Sequence, residues 1–339
     1  MPSHYFEDFP QGFVREYGAH HVTKDHIIEF ASEFDPQPFH LDEEAGKKSI
    51  LGGLSGSGWQ TASVAMRLIF ESILKDAASL GSPGVEELRW LKPVRPGDIL
   101  SLRAEVLDAR VSRSRPGMGI LTWRFGVLDQ NGQEVMWLRS LMMLGTRAAP
   151  PLPPRTPPAR PTSTTLPEFT PDFSVIDDTN GILTGWLDDL VIGFRVEIGS
   201  YQFTRDNMLR FARAYDPQVF HVDEDAAKQT FFGGLAASGW HTASACMSRL
   251  VATRNAYAAE ARRRNLPRVP AGPSPGFRDL KWIQPVYVGD VLSYSTTPLE
   301  KRNISREGWG IAFHRNEGIN QNGDKVFEFT SSSLWPMRG

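Results

Sequence analysis

One stretch of this chain occurs twice, and the duplication limits what it can fold into more than any other feature. Residues Phe34-Asp35-Pro36-Gln37-Pro38-Phe39-His40-Leu41-Asp42 recur as Tyr215-Asp216-Pro217-Gln218-Val219-Phe220-His221-Val222-Asp223. Gly52-Gly53-Leu54 and Ser57-Gly58-Trp59 return as Gly233-Gly234-Leu235 and Ser238-Gly239-Trp240. Further out, Pro93-Val94 with Gly97-Asp98 answers Pro285-Val286 with Gly289-Asp290, and Gln130-Asn131-Gly132 answers Gln321-Asn322-Gly323. A repeat this long is a folding unit used twice. The 339 residues fit two domains at a prior of roughly 100–200 residues each. The expected division is a first domain over 1–147, a proline-rich linker over 148–180 and a second domain over 181–339. Within the linker, Ala148 to Pro161 favours polyproline II and reaches roughly 35–40 Å. The second copy also carries an insertion near Thr253 to Pro275.

Each copy reads as the same series of elements. A short helix opens at Thr23 (Thr204), an N-cap with Asp25 (Asp206) in the first turn. Its apolar stripe is Ile27, Phe30, Ala31 and Phe34, matched by Met208, Phe211, Ala212 and Tyr215. An Asp-Pro-Gln loop follows, then a glycine-rich run and a long helix with Trp59, Ala62, Met66, Ile69, Phe70 and Ile73 on one face. The period then changes to two: Leu100, Leu102, Ala104 and Val106 alternate with Ser101, Arg103 and Glu105, the pattern of a half-buried strand. Leu121, Trp123, Phe125 and Val127 form another strand, and Asn131-Gly132 turns into Val135 to Leu144. A long helix followed by an antiparallel meander is an α+β arrangement.

Composition removes several function classes. Formal net charge is -2, so no overall field draws the chain to nucleic acid or to an anionic membrane. Met1 to Pro10 has neither a basic region nor an apolar core, so no secretory signal is expected. The best apolar run, Val64 to Leu74, is broken by Arg67 and Glu71 and predicts no membrane span. The one cysteine, Cys246, rules out an intramolecular disulfide and a cysteine-rich metal site; it reads as a small core residue. The expected compartment is the cytoplasm.

The repeated loop carries the chemistry. Asp35 and His40 are five residues apart, as are Asp216 and His221, and Pro36 and Pro38 argue against a helix between them. A stiffened loop can point both side chains at one water, where imidazole and carboxylate share acid and base work. Of eight histidines, only His40 and His221 occupy corresponding places; His20 faces Tyr201, His26 faces Asn207 and His241 faces Gln60. A lone Asp-x-x-x-x-His is more often a turn residue and a buried histidine, but its recurrence with the same glycine run favours function. Downstream, Gly56-Ser57-Gly58 and Ala237-Ser238-Gly239 enter the long helix. Its first N–H groups lack internal partners and lie at the positive end of the dipole. A glycine there admits a carbonyl oxygen that gains charge, an oxyanion hole. The alternative is that the glycines only permit close packing of helix on sheet. No Gly-Lys-Ser/Thr follows, so this is not a phosphate loop.

Asp35, Pro38, His40, Asp42 and Ala45, with Asp216, His221, Asp223 and Ala226 or Ala227, resemble the motif of the MaoC-like dehydratases, which include the (R)-specific enoyl-CoA hydratases. The resemblance covers both halves apart from the linker and insertion. It implies two hot-dog domains side by side, each a long helix wrapped by a curved antiparallel sheet. It implies further that Asp35 and His40, with Asp216 and His221, activate water for addition to an enoyl-CoA. The Gly58 and Gly239 N–H groups would hold the thioester oxygen. No metal or redox cofactor is implied, since CoA belongs to the substrate. The sequence departs from the motif at Gln37 and Gln218, where the family has Asn, at Ser57 and Ser238, where histidine is common, and at Val219, which replaces a proline. These bear on the loop's hydrogen bonds and on pocket shape. Both copies keep Asp and His, so two sites are expected. Arg110, Arg113 and Arg115, Lys301, Arg302 and Arg306, or Arg262, Arg263 and Arg264 are candidates for CoA phosphates, although a charge run is usually a solvated face. Trp90 and Trp282 read as core packing. An acyl-CoA thioesterase and a non-catalytic acyl-binding scaffold are the rival readings, and two fused hot dogs already imitate a homodimer, leaving further homo-oligomerisation open.

Overall fold

The structure is a computed structural model that describes residues 2–150, 152–157, 166, 169–171, 173, 185–269 and 272–338. Most of the expected linker over 148–180 lies outside the described residues, as does 181–184. Ten strands form one sheet: β1 (Val14–His21), β2 (Gly84–Trp90), β3 (Ile99–Val111), β4 (Met118–Leu128), β5 (Glu134–Gly145), β6 (Val196–Gln202), β7 (Gly276–Trp282), β8 (Val291–Asn303), β9 (Trp309–Ile319) and β10 (Lys325–Pro336). Their spatial order is β1-β3-β4-β5-β2-β7-β10-β9-β8-β6, and every pairing is antiparallel. The order is the same read from either edge, so two five-stranded halves meet at the β2–β7 seam. This is the α+β arrangement expected from the element order and the double hot-dog that the resemblance implies.

The alternation predicted for β3 and β4 is borne out. Leu100, Leu102, Ala104 and Val106 are buried, as are Leu121, Trp123, Phe125 and Val127. Burying each large side chain contributes about 1.5–3 kcal/mol, so the meander draws its stability from this face. At the seam, Val85 pairs with Leu280 and Leu88 with Phe277. A Cβ added at Gly84 would run into the Leu280 carbonyl oxygen, and one at Gly276 into that of Leu88. Glycine at both places is what lets the halves close.

Strands β1, β2, β6 and β7 were not anticipated. β1 is an edge strand with most residues exposed, so it has no buried-in, polar-out alternation to read. Against the sheet lie α1 (Lys24–Phe34), α2 (Pro38–Leu41), α3 (Glu43–Lys48) and α4 (Gly58–Ile69), and in the second half α5 (Arg205–Tyr215), α6 (Val219–Val222), α7 (Glu224–Ala227) and α8 (Gly239–Arg263). Thr23 and Thr204 cap their helices as expected, accepting from His26 N–H and Asn207 N–H. One expectation fails: the Asp-Pro-Gln loop does contain a helical turn, α2. Pro38 stands at its first position, where a missing N–H removes no hydrogen bond.

The two central helices differ. After Ile69 the first winds into a π-turn over Phe70–Leu74 and stops. The second continues for 25 residues to Arg263. The insertion read from Thr253 onward is therefore, in its first part, a longer helix.

Candidate active site

Asp35 is the C-cap of α1 and His40 sits in α2, so helix end and single turn together fix both side chains. Both are buried, Asp35 to 3% and His40 to 5% exposure. His40 Nε2 lies 3.4 Å from Asp35 Oδ2. Its other nitrogen, Nδ1, is 2.7 Å from the carbonyl oxygen of Ser55. A carbonyl only accepts, so Nδ1 carries a proton, and an unprotonated Nε2 would turn its lone pair toward the carboxylate. Two acceptors then face each other at a separation too long for a direct strong hydrogen bond. A water beside them would give one hydrogen to each. The carboxylate is pinned from its other sides: Gln37 Nε2 donates to Oδ1 at 2.8 Å and Ser57 Oγ to Oδ2 at 2.7 Å.

The second half repeats this bond for bond. His221 Nε2 is 3.4 Å from Asp216 Oδ2, and His221 Nδ1 is 2.8 Å from the Ala236 carbonyl. Gln218 Nε2 donates to Asp216 Oδ1 at 2.9 Å and Ser238 Oγ to Oδ2 at 2.7 Å. Gln37, Gln218, Ser57 and Ser238, four of the five departures from the motif, are thus the residues that orient the carboxylates. The structure adds one link with no equivalent at Gln37 among the described residues: Ser79 Oγ donates to Gln218 Oε1 at 2.6 Å.

Gly58 and Gly239 open their helices with Ser57 and Ser238 as N-caps, each accepting from the N–H of the following tryptophan. The glycine N–H groups themselves have no partner among the described residues and stand at the positive helix end beside the carboxylate–imidazole pair. The space a side chain would take at Gly58 is filled by the Trp90 ring, and at Gly239 by the Trp282 ring. Trp90 Nε1 donates to the Gly58 carbonyl and Trp282 Nε1 to that of Gly239, each at 2.9 Å. Close packing and an available N–H are therefore both true of these glycines. The tryptophans do more than fill the core, since each also lines a cavity.

Each cavity is built by both halves, which the sequence reading did not foresee. The first, of about 340 Å³, runs from Asp35, His40, Gly58 and Trp90 to Met247, Leu250 and Arg254 of α8 and to the β9 and β10 faces. Cys246, buried as expected, is part of that wall, and burial pushes its thiol pKa up. The second, of about 280 Å³, runs from Asp216, His221, Gly239 and Trp282 to Met66, Ile69 and Leu74 and to Phe125, Leu138 and Met142. Arg155 of the described linker segment also lines it. A larger chamber of about 610 Å³ adjoins the first cavity and shares Gln37, Phe39, Leu250, Arg254, Thr296 and His314 with it. A repeat comparison could have suggested these wall residues only after strand pairing was known.

The basic clusters are used unevenly. Lys301 Nζ donates to the carbonyls of Leu187, Asp188 and Leu190, a structural tie. Arg302 and Arg306 lie over Phe313 and Trp309, and Arg263 and Arg264 pair with Glu260. Arg110 and Arg113 are exposed, and Arg115 lies over Phe231. Of the candidates, Arg262 alone lines a described cavity. Among the described residues no cluster of three or more His, Cys, Asp or Glu is placed to hold a metal, and no helix is long and apolar enough to cross a membrane.

Fold and site together define a tandem double hot-dog protein with an Asp–His pair at each of two helix N-termini. The family model described as MaoC like domain matches residues 10–120 and again 192–312. The chain belongs to that family. A MaoC domain protein from Chloroflexus aurantiacus superposes with a TM-score of 0.76 at 18% identity, covering 100% of this chain and 99% of the other. A Mycobacterium tuberculosis protein described as having a double hotdog fold gives a TM-score of 0.67 at 16% identity, covering 98% of each chain. The uncharacterized protein YdeM of Bacillus subtilis is 33% identical over 129 residues, 38% of this chain and 90% of the relative.

Proposed function

We propose that this protein is a hydratase/dehydratase acting on an enoyl-CoA or 3-hydroxyacyl-CoA thioester, with a site in each half. The observation that carries the reading is the facing of Nε2 and Oδ2 across 3.4 Å, with the other imidazole nitrogen tied to a carbonyl, in both halves. Such a pair holds a water by both its hydrogens. Hydration joins the water oxygen to the β-carbon of the enoyl group while one water proton passes to the Asp35–His40 pair. The double-bond electrons move toward the thioester oxygen, where the Gly58 N–H and the helix dipole receive the charge. The pair then returns a proton to the α-carbon, leaving the 3-hydroxyacyl thioester. Running the steps backward eliminates water. Asp216, His221 and Gly239 take the same parts in the second half, and family membership supports the reading. CoA enters as part of the substrate.

The test is incubation with trans-2-enoyl-CoA thioesters. Hydration bleaches the conjugated enoyl thioester without releasing thiol, whereas a thioesterase would release free CoA. The Asp35→Asn/Asp216→Asn double variant should lose at least about 10³-fold in rate, within the range for removing general acid–base help. Unchanged bleaching in that variant would remove this pair from the chemistry.

A further inference from the structure

The far wall of the first cavity is made of the wrong material for a plain alkyl chain. Strand registers set the two walls against each other. Phe125 pairs with Leu138 as Asn316 pairs with Phe329, Trp123 pairs with Ser140 as His314 with Ser331, and Leu121 pairs with Met142 as Ala312 with Ser333. Ala104 likewise pairs with Phe125 as Thr296 with Asn316. Where the second cavity has Phe125 and Met142, the first therefore has Asn316 and Ser333, and it also has Thr296 and His314. On the central helices, Met66, Ile69 and Leu74 line the second cavity, whereas Met247, Leu250 and Arg254 line the first. Near the reacting end, Ser55 replaces Ala236, and its buried hydroxyl has no partner.

Arg254 is the decisive group. It lies between the first cavity and the adjoining chamber and lines both. Its guanidinium makes no hydrogen bond or ion pair among the described residues. Desolvation draws its pKa below the arginine value, partly offset by the charge of Asp35. Among the described residues, Asp35 is the single carboxylate lining either space, against Lys92, Arg254, Arg262 and Arg268. A half-buried cation with no ion pair among the described residues is only partly compensated by the charge of Asp35, and this leaves a demand for a further anion. Neighbouring His314, whose pKa burial and Arg254 push down to about 3, stays neutral and can share a polar ligand group.

We infer, resting on the hydratase reading, that the first site takes a thioester whose acyl chain carries a carboxylate held by Arg254, with Asn316 and His314 beside it. The second site has Phe125, Leu138 and Met142 on its wall, and Arg155, which also lines it, lies over the Phe231 ring; it takes an unsubstituted acyl chain. Arg254 supplies a planar fork matched to a carboxylate.

The experiment compares a panel of ω-carboxylated acyl-CoA thioesters with their methyl-ended counterparts of equal length on the full chain. Calorimetry with saturated thioesters should show at least about tenfold tighter binding of a carboxylated member at one site per chain. Arg254→Met should remove that preference, with Arg254→Lys restoring part of it and neither variant melting below the wild type. Equal affinity for both series in the wild type overturns the proposal. So does an equal loss for both series in Arg254→Met, which would place a CoA phosphate at this arginine instead. Turnover of the matching enoyl thioesters by the Asp216→Asn protein, where the first site acts alone, separates the two readings. Hydration without preference for the carboxylate sinks this inference and leaves the hydratase standing. Preferential binding without hydration of either series does the reverse.

Discussion

The two catalytic loops and the two cavity walls have had different histories within one chain. In the loops, four hydrogen-bonded or close polar contacts recur between corresponding atoms with distances that agree within 0.1 Å. In the walls, Phe125 and Met142 beside the second cavity stand where Asn316 and Ser333 stand beside the first, and Arg254 and His314 line only the first. Because each wall is lent by the opposite half, a change in one sheet alters the pocket of the other half's loop. The Asp–His pairs are thus alike in the two halves while the cavity walls beside them differ. The β2–β7 seam makes this possible, since a rigid shared sheet holds each loop against the other half's wall.

The comparison can be broken most sharply at the glycines. If the halves work alike, Gly58→Ala and Gly239→Ala should each silence one site and leave the other. The added methyl would run into Trp90 or Trp282, displacing a ring that is hydrogen-bonded to the same residue's carbonyl. A displacement of about 1 Å at a reacting centre costs on the order of 10²-fold. Assayed with each site's own substrate, Gly58→Ala should lose at least about 100-fold on one and little on the other, and Gly239→Ala the converse. Parallel losses on both substrates would mean that a single site serves them. A smaller effect is expected at the serines that point the carboxylates. Ser57→Ala removes one of the bonds to Asp35 Oδ2 and a helix cap, and should lower kcat by roughly 10-fold, about 1.4 kcal/mol, with KM little changed. Ser238→Ala should lose less, because Gln218 in that half is braced by Ser79. A larger loss at Ser238 than at Ser57 would contradict the idea that this extra bond stiffens the second loop.

How much of this was legible beforehand follows from which interactions are local. Thr23 and Thr204 as caps, the apolar stripes of α1 and α5, and the alternation in β3 and β4 are set by neighbours in sequence and were readable. So was the Asp–His pair, because the repeat singled out His40 and His221. The single turn α2 was misjudged by treating Pro38 as a breaker, when at the first helical position its lost N–H is harmless. The edge strand β1 left no alternation to find. Arg254 was the hardest case, since it appeared only as part of an insertion. Its meaning depends on α8 extending past the point where the first central helix stops and on the opposite half's loop lying across from it. No spacing within one copy encodes that.

A histidine that has no part in the proposed chemistry also distinguishes the halves. His241 is fully buried, stacked on Phe211 at 4.7 Å, with Nε2 near the Tyr201 hydroxyl and Nδ1 unpaired. Its counterpart Gln60 donates to the His26 carbonyl at 2.7 Å. Burial pushes the His241 pKa down from 6.5 to about 3. Above pH 6.5 neither folded nor unfolded chain carries this charge, so the group adds no pH dependence. As pH falls through 6.5 the unfolded chain takes up the proton and the folded one does not, so stability declines until the pH nears 3. His241→Gln should flatten that decline by up to about 1.4 kcal/mol per pH unit, or about 2 kcal/mol between pH 6.5 and pH 5. His314 shares the same direction of shift and keeps part of the acid sensitivity in the variant. Urea unfolding of both proteins at pH 7 and pH 5 measures the difference directly. If they lose the same stability on acidification, His241 is already protonated in the fold, and the polar asymmetry between the two helices carries no energetic weight.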